Sequence, residues 1–329
     1  MELRHMRYFL AVAEELNFTR AAARLGIGQS PLSQQIKDLE RELDVILLHR
    51  VPYGAELTDA GSAFLEECRR TLAAAECAVV AAQRASRGEL GSLRIGFTSS
   101  AHFNRLVPDA IRDFTRRFPD VTLSLEEANT VKLVELLNSG AVDVILSHSV
   151  IDDDGRLHSV DLTQEPLVVV LPADHELASK DQVALIELAD ELFVMKPRQV
   201  GPELYRTVLA ACEKAGFRPK MGQETPQLAT VISLIAANLG VSLIPSSMQH
   251  IRANGVEYRP IRGETPHVSL TLVWRRLERS QAIQNFVSMV RAYKREPQPF
   301  HDEVRTGDSL DCAATLESAG TPLVVKLAL

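Results

Sequence analysis

The sequence has few cysteines, and none is placed for metal or redox chemistry. They are Cys68, Cys77, Cys212 and Cys312. No two form a CxxC pair and none has a histidine at zinc-ligand spacing, which excludes a structural zinc site and a dithiol motif. Cys68 and Cys77 stand nine positions apart, on opposite sides of a helix, so we read the four as buried or free thiols of a reducing compartment. A basic excess is also missing. The 36 Lys+Arg and 43 Asp+Glu leave a net charge of -7, and residues 1–60 alone hold seven basic and nine acidic side chains. Any contact with nucleic acid must depend on where charges sit, not on their sum. The opening MELRHMRYF has no signal-peptide core. The longest charge-free stretch, Thr225 to Gln249, is broken by Pro226, Gln227, Asn238, Gly240 and Pro245, so it reads as helix, glycine stop and strand rather than a membrane span. A soluble, cytoplasmic chain with no membrane partner is expected. Catalytic signatures are absent as well: no GxSxG, HExxH, Walker loop or dinucleotide fingerprint, and GIGQSP has Pro31 where GxGxxG needs glycine. Neither an enzyme, nor a cofactor, nor a metal site is expected.

What is present begins in the first sixty residues. Leu3, Met6, Phe9, Leu10 and Ala13 share one helical face. Thr19 can cap a short second helix that Gly26 ends, and Ala21, Ala22 and Ala23 leave room for another helix to cross closely. Ser30 caps a third helix with Pro31 at its first position, where a missing N–H costs nothing. Leu32, Ile36, Leu39 and Leu43 form its buried stripe. Ser33, Gln34, Lys37 and Arg41 fall off that stripe, and Gln29 precedes it. Between Leu16 and Lys37 the charges are Arg20, Arg24 and Lys37, with no acid. This spacing predicts a helix-turn-helix whose second helix brings its N-terminal residues to the major groove, where Gln and Lys offer the groups that base edges demand. Phe18, Thr19 and Arg20, at the head of the short helix, belong to the same predicted surface. The stretch Ile46 to Thr58, with Pro52 and Gly54 at its centre, predicts a hairpin wing. Arg50 on that wing is placed either for a phosphate or for a surface ion pair.

Thr58 and Asp59 open a helix that nothing breaks until about Arg87, a rod of roughly 45 Å at the usual rise. Gly61, Leu65, Cys68, Leu72, Ala75, Val79 and Ala82 alternate at four and three, a heptad seam for a second copy or for the chain's own body. RASRGELGS, Arg84 to Ser92, then acts as a hinge.

Beyond it the pattern is α/β. SLRIGFTSS, VTLSLEE and VDVILSH are strands separated by helices, hence parallel, and LVVVLPA, LFVMKP, MGQET and VSLIP continue the alternation with two more helices. VSLTLVW and AIQNFVSMVRAYK add a late strand and helix. Two such lobes enclose a cleft, and ligands of parallel α/β lobes bind at the carboxyl ends of strands, where helix N-termini point. Those ends carry Thr98, Ser99, Ser100, Thr130, Ser147, His148, Lys196, Pro197, Arg198, Thr225 and Gln227. From them Thr98, Ser99, Ser100, Thr130, His148, Pro197, Arg198 and Gln227 are taken as the candidate ligand site, suited to a small carboxylate. Taken singly, each is equally a cap or a solvated residue, and His148 a satisfied polar one.

The phrase RYFLAVAEELNFTRAAARLGIGQSPLSQQIKDLERELDVILLHR and the later LTDAG resemble the LysR-type transcriptional regulators, over roughly residues 1 to 295. The resemblance implies an α/β fold: an N-terminal winged helix-turn-helix, a long linker helix, and a two-lobed body like the periplasmic binding proteins. It implies that Gln29, Ser30, Pro31, Ser33 and Gln34 meet the operator and that Arg50 lies on the wing. Ser99 and Thr130 match positions where regulators of aromatic catabolism hold an acidic inducer, and His148 stands near an arginine of those relatives. It further implies a dimer through the linker helix, a tetramer of two dimers, and an inverted-repeat site on double-stranded DNA near a promoter. The expected divisions are 1–58, 59–90, 91–295 (lobe I about 91–162 and 268–295, lobe II about 163–267) and a tail, 296–329, that extends past the family's usual end. The tail starts Pro-rich and polar, as a flexible segment would, and ends in the apolar PLVVKLAL.

The function expected is therefore a ligand-responsive DNA-binding regulator. Inducer in the cleft shifts how the lobes pack, which alters how the dimers sit on bent DNA and how RNA polymerase is engaged. The rival is a small-molecule binding protein whose N-terminal helices serve assembly only.

Overall fold

Helix α1, Leu3–Glu15, buries Met6, Phe9, Val12 and Ala13 and ends where Leu16 turns left-handed, at φ 49. Helix α2, Phe18–Leu25, is capped by Asn17, whose side chain accepts from the amides of Thr19 and Arg20 at 2.9 and 3.1 Å; Thr19 is therefore not the cap. Gly26 ends α2 at φ 66, as expected. Helix α3, Gln29–Leu43, starts two residues early, with Gly28 as its N-cap. Ser30 and Pro31 therefore sit inside the first turn, and Pro31 is tolerated because amides there have no intrahelical partner. Leu32, Ile36 and Leu39 are buried. Strands β1, Leu48–Val51, and β2, Gly54–Leu57, pair antiparallel as the wing.

Thr58 Oγ1 accepts from Gly61 N at 2.8 Å and caps α4, Asp59–Ser86. Gly61 is there for space: a Cβ would lie 2.0 Å from the Leu47 carbonyl oxygen. Phe64 meets Phe9 edge to face at 5.1 Å, and Cys68 and Leu72 enter the same core. The heptad seam is thus divided. Its first half is consumed by the chain's own helices, while Val79 stays 58% exposed.

The computed structural model describes residues 1–52, 54–148, 155–251, 253–293 and 324–327. They form two compact units, Met1–Arg84 and the described residues from Ala85 onward. In the second unit, β3 (Gly91–Phe97), α5 (Leu106–Arg117), β4 (Val121–Glu127), α6 (Thr130–Asn138) and β5 (Val144–Ser147) alternate, and β3 pairs in parallel with both β4 and β5. Strand β6, Leu157–Pro172, is 16 residues long and crosses into a second lobe. That lobe holds β7 (Leu192–Met195), α7 (Pro202–Lys214), β8 (Lys220–Glu224), α8 (Leu228–Ala236), β9 (Ser242–Pro245) and β10 (Val256–Pro260). Strand β11, His267–Arg275, returns along β6 to the first lobe, and α9, Gln281–Tyr293, packs there.

The second lobe does not repeat the first. LVVVLPA is the far half of β6, and β9 and β10 both run antiparallel to it; β7 and β8 pair in parallel, and single parallel bridges join Val183 to Ile261 and Phe193 to Val241. Each lobe has its own core, one around Phe114 and Phe286, the other around Phe193 and Ile232. The apolar end of the tail supplies β12, Val324–Leu327, parallel to β4. The Pro-rich start of the tail, and Cys312, lie outside the described residues.

Candidate functional site

The first candidate surface is on Met1–Arg84. Inward packing of Leu32, Ile36 and Leu39 turns Gln34 and Lys37 outward, exposed, with Ser33 half-buried at the edge. Gln29, Ser30 and Pro31 are exposed at the helix start. The wing reaches this face: Arg50 donates to Ser33 Oγ, and its guanidinium sits 5.0 Å from the centre of the Phe18 ring. Phe18 itself is buried, so it supports the surface rather than forming it. Thr19 donates to Gln29 Oε1 at 3.1 Å, which ties the start of α2 to the start of α3. Gln34 Nε2 donates to Asp38 Oδ1 at 3.0 Å, and this exposed pair must open for the amide to reach a base edge. Arg20 and Arg24 are paired with Glu15 and Glu14, whereas Lys37 and Arg50 have no acidic partner among the described residues. The structure therefore brings Thr19, Gln29, Ser33, Gln34 and Arg50 together, with the uncompensated cations on that same face.

The second candidate lies between the lobes, at the strand ends. Thr98 and Ser100 follow β3, Thr130 opens α6, and His148 follows β5. Facing them are Lys196 after β7, Gly201 and Leu204 at α7, Leu228 on α8 and Pro245 at the end of β9. The space they enclose is about 10 Å³, room for about one water. Ser99, Pro197, Arg198 and Gln227 are not in this lining; Arg198 and Gln227 point to solvent. Lys196 takes the place expected of Arg198. It is 8% exposed with no ion pair or hydrogen bond among the described residues, and burial pushes its ammonium below the usual lysine range. Thr98 Oγ1 is likewise buried without a partner.

A polar network crosses the base of the cleft. His148 Nδ1 lies 3.1 Å from Ser100 Oγ, and Nε2 lies 2.9 Å from Glu165 Oε2 on β6. Asn104 Nδ2 donates to the same oxygen at 2.9 Å, and the Ser247 amide, from the second lobe, donates to Oε1 at 2.6 Å. Burial alone would raise the Glu165 carboxyl, but the hydrogen bond and charge of His148, with those from Ser247 and Asn104, hold it at about 2. Glu165 gave no signal in the sequence, since a lone acid within a strand beside Pro166 looks like a solvated residue. A second buried acid, Asp143, is bound by Arg94 and Arg275 at 2.7 and 3.1 Å. It precedes β5, at the opposite end of the strands from the cleft, and serves the fold.

Cys68 and Cys212 are buried, and desolvation pushes their thiols to about 11 and about 12. Among the described residues no group of three metal-ligating side chains converges, and no helix is long and apolar enough to cross a membrane.

An exposed amide-bearing helix face beside a wing, and a narrow polar cleft between the lobes of an α/β body, together define a DNA-binding regulator that senses a small molecule. The chain belongs to the LysR family of transcriptional regulators: the LysR substrate binding domain matches residues 86–295, and the bacterial regulatory helix-turn-helix protein, lysR family, matches residues 3–62. It is 42% identical over 287 residues to the uncharacterized HTH-type transcriptional regulator YnfL of Escherichia coli (strain K12), covering 87% of this chain and 96% of that one. It is 38% identical to the HTH-type transcriptional regulator AlsR of Bacillus subtilis (strain 168), covering 87% and 94%. Among solved structures, full-length CbnR complexed with its target DNA superposes with a TM-score of 0.78 at 28% identity, over 89% of this chain and all of CbnR. These relatives are regulators, and this chain is a regulator and not an enzyme.

Proposed function

We propose that this regulator binds an inverted-repeat operator as a dimer, assembles as a tetramer of two dimers, and reads a small carboxylate in the cleft between its lobes. Gln29, Ser30, Pro31, Ser33 and Gln34 approach base edges and the adjoining phosphates, Lys37 and Arg50 neutralise phosphates, and the exposed half of α4 pairs with a second copy. The observation that carries the effector reading is Lys196, a buried cation with no counter-charge among the described residues, on the wall opposite the unsatisfied Thr98 hydroxyl. An anion bridging the two would bind the closed arrangement better than an open one. That difference in affinity is the whole source of the response, which reaches RNA polymerase through the packing of the dimers on DNA. The role places the protein in the cytoplasm.

A mobility-shift titration on the DNA upstream of the chain's own coding sequence tests the DNA half. Binding should prefer that site over random duplex and weaken as salt rises. Equal affinity for both duplexes would favour a binding protein whose N-terminal helices serve assembly alone.

A further inference from the structure

We infer that the cleft selects an effector with a single negative charge on a short aliphatic chain, a monocarboxylate, and rejects dicarboxylates; this rests on the reading of the cleft as the effector site. The first ground is a count of cations at the lining. Lys196 has no partner among the described residues. His148 is the other basic group there, and both its ring nitrogens are engaged, by Ser100 and by Glu165. Arg198 faces solvent. One positive charge is therefore free, and it can balance one carboxylate.

The second ground is what stands behind His148. The Glu165 carboxylate lies 2.9 Å from its Nε2 and is fixed there by Asn104 and Ser247. A second ligand carboxylate on that side would meet a like charge, with no second free cation in the lining to offset it. The third ground is the apolar part of the wall. Leu204, Leu228 and Pro245 offer carbon only, suited to an alkyl chain. Gly201 lets Lys196 lie close, since a Cβ there would stand 3.3 Å from the lysine Cε. With about 10 Å³ of room in this arrangement, each added carbon requires the lobes to part further, so the chain must be short.

The test is calorimetric titration of the full-length protein with linear monocarboxylates of two to six carbons, succinate, benzoate and inorganic phosphate. Short monocarboxylates should bind, and succinate, benzoate and phosphate should bind tenfold or more weakly. Lys196→Met should lose roughly 10- to 100-fold in monocarboxylate affinity, the worth of a charged hydrogen bond. Without ligand it should keep operator binding and melt higher than the parent, because an uncompensated buried charge is gone. Succinate or phosphate binding as tightly as the monocarboxylates, and still depending on Lys196, would overturn the single-charge class while leaving the cleft as the effector site. Monocarboxylate affinity unchanged in Lys196→Met, or no binding of any of these anions by the parent, would remove the cleft reading and the class with it.

Discussion

Glu165 joins the two lobes through one carboxylate, and its acid behaviour should be visible in stability. Its folded value of about 2 lies below the usual 4.5, so its stabilisation is complete above about pH 4.5 and disappears as pH falls toward 2. The difference corresponds to something on the order of 3 kcal/mol. Urea melts of Glu165→Gln should therefore show a lower midpoint than the parent near neutral pH and a smaller loss between pH 5 and 3. A parallel loss in both proteins would deny Glu165 that role. Gly61→Ala should cost about 2 kcal/mol or more in thermal melts, since its Cβ would press on the Leu47 carbonyl; an unchanged Tm would mean the backbone yields there. The strand-end rule located Thr98, Ser100, Thr130 and His148 from the sequence because it depends only on chain direction. It chose Arg198 over Lys196 because it says where a strand stops, not which of the next residues turns inward. Glu165 was beyond it, being inside a strand whose burial comes from a partner, Ser247, 82 positions away.

At the scale of the element, α3 and α4 each carry one face for the protein and one for something else. Gln34→Ala should erode discrimination between operator and mutated operator by about 1–3 kcal/mol, measured by competition binding. Lys37→Ala should lower affinity for all duplexes alike and reduce the salt slope by about one. An unaltered operator footprint in Gln34→Ala would take Gln34 out of the reading face. For α4, Val79→Asp should weaken self-association in sedimentation equilibrium while leaving the melting of Met1–Arg84 unchanged. Helix positions and the buried stripe of α3 were legible, because a leucine repeat at four and three has one folded meaning. The caps were not. Asn17 and Gly28 hold the positions assigned to Thr19 and Ser30, since capping depends on backbone angles that candidates two residues apart compete to adopt. The seam of α4 is open in the sequence to a second copy or to the chain's own body, and only the fold reveals that Cys68 and Leu72 are already covered from within.

For the molecule as a whole, the first lobe was predictable because strands separated by helices must run parallel, and β3, β4 and β5 do. The second lobe was not, because β9 and β10 return antiparallel onto β6 from 70 or more positions downstream, and nothing local records that choice. Strand β6 has a consequence for motion. It is one continuous strand, with a register shift against β11 at Leu162, that belongs to both lobes, hydrogen-bonded to β11 in its first half and to β9 and β10 in its second. Two bodies strung on a shared beam can flex against each other only as far as the beam bends. Opening to admit an effector is then a shallow rocking, and the amides of Leu157–Pro172 should exchange slowly with deuterium whether the cleft is empty or filled, while those around Thr98 and Lys196 should slow only on filling.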